Sequence, residues 1–207
     1  MIVVFSGAAT NVYSQKKTLE AGEFYASVRD ADKTRYAASR RETRKDEEFT
    51  DGKLTSTTVI IDEYIKPDKQ HFLSTETANG KVKKLEVIAI GKNYYQREDG
   101  GAWTKLKNWY GSGGLITSPL GAKSAFTVED AKINNRSVKI YTDFTTFKND
   151  HSDGNVFSEI KRWITNDGRL LKEEVTVGVL ETKKVNFKRT YNYEYNLKNL
   201  KIVAPIK

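Results

Sequence analysis

Val185-Asn186-Phe187-Lys188-Arg189-Thr190-Tyr191-Asn192-Tyr193-Glu194-Tyr195 carries the clearest period in the chain. Val185, Phe187, Arg189, Tyr191, Tyr193 and Tyr195 share one face, while Asn186, Lys188, Thr190, Asn192 and Glu194 share the other. This is a long strand over 183–196 with one packed and one wetted face. Reading backwards from it, strands follow at 169–178 and 156–165, joined at Asn166-Asp167-Gly168. Two more lie at 136–147 and 124–133, with Asn134-Asn135 as their turn. The first half repeats the rhythm with strands at 35–49, 53–66, 69–77, 82–90, 94–97 and around Ala102-Trp103-Thr104. Asp51-Gly52 and Asn79-Gly80 supply hairpin turns, and Pro67-Asp68 makes a corner. One helix is expected, capped by Thr18 and running to about Asp30, with Leu19, Phe24 and Val28 as its apolar stripe. About nine to eleven strands in antiparallel succession, with too little helix for βαβ units, make this α+β and mostly antiparallel β. Such a sheet must curl or split into two layers.

The 207 residues suit a single domain, assigned to 15–207. Hydrophobic residues at 38% against 30% charged place the chain among globular proteins rather than disordered ones. The net charge of +8 is dispersed, and the densest run, Arg40-Arg41-Glu42-Thr43-Arg44-Lys45-Asp46-Glu47-Glu48, is mixed in sign. It reads as a solvated face. Lys183-Lys184 and Lys188-Arg189 come with no nucleic-acid reader motif, so no nucleic acid is expected. There is no cysteine, which excludes disulfides, thiolate metal sites and a cysteine nucleophile.

Met1 to Thr10 is apolar and small, and Val12 and Ser14 stand at the minus-three and minus-one positions before Gln15. That pattern fits secretory cleavage, so 1–14 is read as the remnant of a signal peptide and the domain as exported, in the periplasm of a bacterial envelope.

The segment 105–123 interrupts the strand rhythm. Trp109-Tyr110 is followed by Gly111-Ser112-Gly113-Gly114 and then Leu115, a glycine-rich stretch with large apolar side chains. It reads as a crossing or lid between two halves of the sheet. It is not a phosphate loop, because the lysine and Ser/Thr that cradle phosphate are missing.

Several pieces, in this order, resemble the lipoprotein carriers of the LolA/LppX type. They are Asp62-Glu63-Tyr64-Ile65-Lys66-Pro67-Asp68-Lys69 with Phe72 after it, Glu86-Val87-Ile88-Ala89-Ile90-Gly91 leading to Tyr94-Tyr95-Gln96-Arg97, and Gly101-Ala102-Trp103-Thr104. Arg162-Trp163-Ile164-Thr165-Asn166-Asp167-Gly168-Arg169-Leu170-Leu171-Lys172 and Tyr191-Asn192-Tyr193-Glu194-Tyr195-Asn196, closing on Ile202-Val203-Ala204-Pro205, complete the set. The resemblance spans most of 53–206. It implies an unclosed, strongly curved half-barrel whose concave face is covered by a small number of helices, leaving an apolar cavity for the acyl chain of a lipid or lipoprotein. The helical lid of the carriers is replaced here by the glycine-rich stretch.

Candidate wall or lid residues for such a cavity are Val59, Ile61, Leu85, Val87, Trp103, Leu106, Trp109, Tyr110, Leu115, Phe126, Phe187 and Tyr193. Enzymatic chemistry is not expected. His71 and His151 lack partners at metal-ligand spacing, and Asp62-Glu63 and Glu47-Glu48 are adjacent pairs that point to opposite faces of a strand. No cofactor or metal is expected. The partner is an acyl chain, with a membrane or envelope protein as a second candidate, and the chain is expected to act as a monomer. The alternative reading is a protein-interaction or envelope-stress sensor module whose cavity is filled by side chains.

Overall fold

The computed structural model describes residues 15–108, 121–148 and 154–206. After β1 (Lys17–Leu19) and α1 (Ala21–Ala37) come the strands β2 (Arg40–Thr50), β3 (Lys53–Ile65), β4 (Lys69–Ala78), β5 (Lys81–Ile90), β6 (Asn93–Glu98) and β7 (Thr104–Leu106). The second half supplies β8 (Lys123–Ile133), β9 (Arg136–Lys148), β10 (Asn155–Thr165), β11 (Leu170–Val179) and β12 (Val185–Tyr195). All twelve strands form one antiparallel sheet in the order β1-β8-β9-β10-β11-β12-β2-β3-β4-β5-β6-β7, curved and unclosed. It is two meanders, β2–β7 and β8–β12, joined where β12 pairs with β2. This is the half-barrel with helical cover that the resemblance implied, with one helix among the described residues.

Turn chemistry sets the register. Asp51 and Gly52, Asn79 and Gly80, and Asn134 and Asn135 all adopt positive φ. Two successive positive φ angles match the right-handed twist of the flanking strands, and Asx and Gly residues reach them at least cost.

The start of the chain departs from expectation. Lys17-Thr18-Leu19 is an edge strand, with Lys17 opposite Val128 and Leu19 opposite Phe126, and so Thr18 does not cap the helix. Helix α1 begins after Glu20, which makes no side-chain cap hydrogen bond, and continues to Ala37. Pairing with β8 satisfies the backbone groups of 17–19 that a helix would have used. The extension past Asp30 has its own cause: Phe24, Val28 and Ala31 are buried, and Arg35 is the next position on the same stripe. It reaches Glu42 of β2 at 2.7 Å. The expected strand 35–49 therefore starts only at Arg40.

The main core lies between α1 and the β8–β12 half. Phe24 is fully buried, with ring centroids 4.7 Å from Phe126 and 6.1 Å from Tyr141. Leu19, Val28, Ala31, Ile164, Leu170 and Tyr193 complete the cluster. Tyr25, beside Phe24 on the helix, is half exposed.

Candidate functional site on the concave face

Cross-strand register assigns faces. Phe126 pairs with Asp143, Asp143 with Ile160, Ile160 with Val175, Val175 with Arg189, and Arg189 with Asp46. Opposed residues share a face, so all of these lie on the side that α1 covers. By the same register Arg40, Glu42, Arg44 and Asp46 of β2 face inward, while Arg41, Thr43, Lys45 and Glu47 face outward.

The charged run read as a solvated face is thus the centre of the sheet. Its inward half forms a belt of ion pairs. Arg189 Nε and Nη2 donate to the two oxygens of Asp46, both at 2.8 Å. Arg44 lies 3.3 Å from the same carboxylate, Arg162 Nε donates to Glu173 at 2.6 Å, and Arg35 Nη2 to Glu42 at 2.7 Å. Pairing is what makes these charges tolerable there, because an ion removed from water costs several kcal/mol unless its partners are close. Burial works against the Arg35 charge, but Tyr193, Glu42 and Tyr36 more than offset it and hold the guanidinium protonated. Burial, together with Glu42, drives the Tyr193 hydroxyl well above the usual phenol range. Burial also pushes Tyr195 up to about 12, and its hydroxyl donates to the Leu170 carbonyl at 2.8 Å.

The belt separates the helix-covered core from a second apolar cluster. Ile60, Phe72 and Val87 are buried together, with Leu85 packed at the margin. Phe72 and Val87 are directly opposed across β4 and β5, and Ser74 opposes both Ile60 and Leu85. Helix α1 packs mainly on β8 and β11 and reaches β2 and β12 through Arg35, whereas this cluster lies on β3, β4 and β5.

Where the two halves meet, arginines and tyrosines alternate. The Arg35 guanidinium stands 4.9 Å from the Tyr193 ring and 4.9 Å from the Tyr36 ring. Arg40 stands 5.5 Å from the Tyr36 ring and 5.3 Å from the Tyr64 ring. The Nε atoms of Arg35, Arg40 and Arg44 and the Tyr193 hydroxyl are buried without a hydrogen-bond partner among the described residues. Each unmet buried donor costs about 1–3 kcal/mol.

The expected wall residues distribute as follows. Leu85, Val87, Phe126, Phe187 and Tyr193 face inward, as does Leu106, which opposes Tyr94. Phe126 and Tyr193 belong to the helix-covered core, and Leu85 and Val87 to the second cluster. Phe187 lies under Arg189 at 5.0 Å. Val59 and Ile61 flank inward-facing Ile60 and so point to the convex side. Trp103 packs against Arg97 at 4.8 Å. Trp109, Tyr110 and Leu115 lie outside the described residues.

On the convex face β3, β4 and β5 bring Glu63, His71 and Glu86 side by side. His71 Nδ1 is 3.0 Å from Glu63 and its Nε2 is 2.9 Å from Glu86. Arg41 reaches Glu63 at 2.7 Å and Arg97 reaches Glu86 at 2.6 Å. Burial raises both carboxyls, but the hydrogen bonds outweigh it: His71 and Arg41 hold Glu63 low, and Arg97 and His71 hold Glu86 low. The two carboxylates lie on opposite edges of the imidazole and diverge, and among the described residues no group of His, Asp or Glu is arranged to hold a metal. This network and the arginine belt escaped the sequence because their partners are set by cross-strand register, which pairs Glu63 with His71 and His71 with Glu86 but also Asp46 with Arg189, 143 residues away. The alternation within 40–48 was the signal that would have found the belt.

No protein-family model matches the chain, and no curated protein matches it. Among solved structures, LprF from Mycobacterium bovis is 10% identical, covering 90% of this chain and 99% of its own, with a TM-score of 0.48. A putative exported protein with a YmcC-like fold from Bacteroides fragilis is 10% identical, covering 76% and 96%, with a TM-score of 0.27. The fold assignment rests on the strand order and register of this chain.

Proposed function

We propose that this chain is a non-enzymatic, exported binding module, working as a monomer in the periplasm, that holds the acyl chain of a lipid or lipoprotein against its concave face. The observation that carries the reading is the second apolar cluster. Ile60, Phe72, Val87 and Leu85 gather on the inward face of β3–β5, away from the described helix. Leu106 and Tyr94 extend the same face toward the β7 edge. Burying a chain there gains about 0.8 kcal/mol per methylene with little polar chemistry. In this reading Trp109, Tyr110 and Leu115 act as lid residues, and 1–14 are the end of the export signal.

A second reading has a specific observation in its favour. Val87 is only 1% exposed, and the ion-pair belt occupies the middle of the concave face. A concavity filled by its own side chains would serve as a protein-interaction or envelope-stress sensor surface instead.

Binding of a fluorescent fatty-acid probe separates the two. Leu85→Thr on the concave face is expected to weaken the probe about fivefold or more, the equivalent of roughly 1 kcal/mol of lost apolar contact. Val59→Thr on the convex face is expected to leave it unchanged. Absence of probe binding to the unmodified protein rejects the carrier reading in favour of the filled one.

A further inference from the structure

The chemistry of the concave face points beyond an acyl chain to what the chain is attached to. Four inward-facing arginines have a carboxylate within ion-pair distance: Arg35 with Glu42, Arg44 and Arg189 with Asp46, and Arg162 with Glu173. Arg40 does not. It is only 9% exposed, and no ion pair or side-chain hydrogen bond joins it to a described residue. It is held instead by aromatic faces, Tyr36 on one side and Tyr64 on the other.

We propose that Arg40 receives the anionic head group, carboxylate or phosphate, of an amphiphile whose chain lies on the second apolar cluster; this rests on the carrier reading above. Stacking fixes the plane of a guanidinium and leaves its edge N–H groups to meet an oxygen anion in a bidentate fork. The stack is itself anchored, because the Tyr64 hydroxyl donates to the Pro67 carbonyl at 2.6 Å. Tyr36, the other ring beside Arg40, is 60% exposed.

The placement suits an amphiphile. Arg40 opposes Tyr64 in one cross-strand row, and Tyr64 opposes Gln70. Phe72 lies in the next row, opposite Asp62. Two residues along the strand and two strand spacings separate the backbones of Arg40 and Phe72 by about 12 Å. The inward carboxylate on β3, Asp62, accepts a hydrogen bond from Gln70 Nε2 at 2.8 Å; burial raises its pKa, and that hydrogen bond and the charges of Arg40 and Arg35 oppose the rise.

The test compares palmitate, hexadecyl phosphate and the uncharged methyl palmitate, each displacing the fluorescent fatty-acid probe from the full chain. The expected result is about tenfold tighter binding of both anions than of the ester, the equivalent of about 1.4 kcal/mol, because hydrogen bonds to charged groups are the stronger kind. Arg40→Gln is expected to bring the anions to within about twofold of the ester and leave the ester unchanged; Arg40→Lys is expected to restore part of the preference. Should Arg40→Gln fail to fold, salt dependence of the unmodified protein decides. Raising NaCl from about 50 to 500 mM must weaken the anions and not the ester. Equal affinity for all three overturns the head-group assignment and leaves the carrier reading standing. Binding of none overturns both. Inorganic phosphate alone displacing palmitate at equal concentration would make this a site for a free anion and overturn the assignment to an amphiphile.

Discussion

Replacing Phe24 with alanine is expected to destabilise the protein by about 3–5 kcal/mol, the range for deleting a buried phenyl ring. The upper part of that range applies for structural reasons. Phe24 is fully buried, and its ring meets Phe126 at 4.7 Å, Tyr25 at 5.5 Å and Tyr141 at 6.1 Å. These partners come from α1, β8 and β9, so the void cannot be closed by moving one element. Part of the loss is also edge-to-face ring attraction, worth about 0.5–1.5 kcal/mol per pair beyond area burial. For a domain of this size each kcal/mol lowers Tm by about 2–4 °C, giving a fall of roughly 6–20 °C. Urea titration followed by far-ultraviolet circular dichroism and by tryptophan fluorescence measures the change. The two probes should move together, because the helix caps the core that the β8–β12 meander shares. A loss below about 1 kcal/mol would refute the placement of α1 on the concave face. Separate transitions for helix and sheet would refute a shared core.

Glycine positions offer a paired test. A Cβ at Gly178 would stand 2.2 Å from the Lys184 carbonyl oxygen and 2.8 Å from Phe157 Cε1, so Gly178→Ala should cost more than about 2 kcal/mol in chemical denaturation. Gly22→Ala, with nothing within 4 Å in the first turn of α1, should be neutral or stabilise by up to about 1 kcal/mol in the same experiment. The convex network gives a pH dependence with a definite sign. Glu63 and Glu86 are both held low in the folded state, so their contribution is complete above the ordinary glutamate pKa and is lost as pH falls through the depressed values. Stability measured by urea titration from about pH 7 to pH 3 should therefore fall on acidification. Glu63→Gln combined with Glu86→Gln should flatten that fall, and an unchanged slope would show that other carboxylates control it.

The strands were largely legible because their signal is local. Alternation in 185–195 and turn pairs such as Asp51-Gly52 and Asn79-Gly80 need only neighbouring residues, and the structure bounds those strands within a residue or two, save β2, which starts at Arg40 and not at 35. The helix was legible in type but not in extent. Arg35 belongs to it because of Glu42 and Tyr193, contacts that arise only once β2 and β12 are side by side. The site was the least legible part. Val59-Ile60-Ile61 is a continuous apolar run, so its inward member cannot be told from its neighbours until register with β2 and β4 is known. The arginine belt was hidden for the opposite reason. A run of alternating sign reads as surface when each charge is taken alone, and as paired structure only when Asp46 meets Arg189, 143 residues away.

Native mass spectrometry, with lipid extraction, of the protein purified from a bacterial periplasm in mild buffer shows whether an acyl chain occupies the concave face. A co-purifying acyl species is expected, lost or reduced in the Leu85→Thr variant and retained in Val59→Thr. A clean ligand-free mass, with no binding of the fatty-acid probe, would contradict it and leave a concavity occupied by its own side chains.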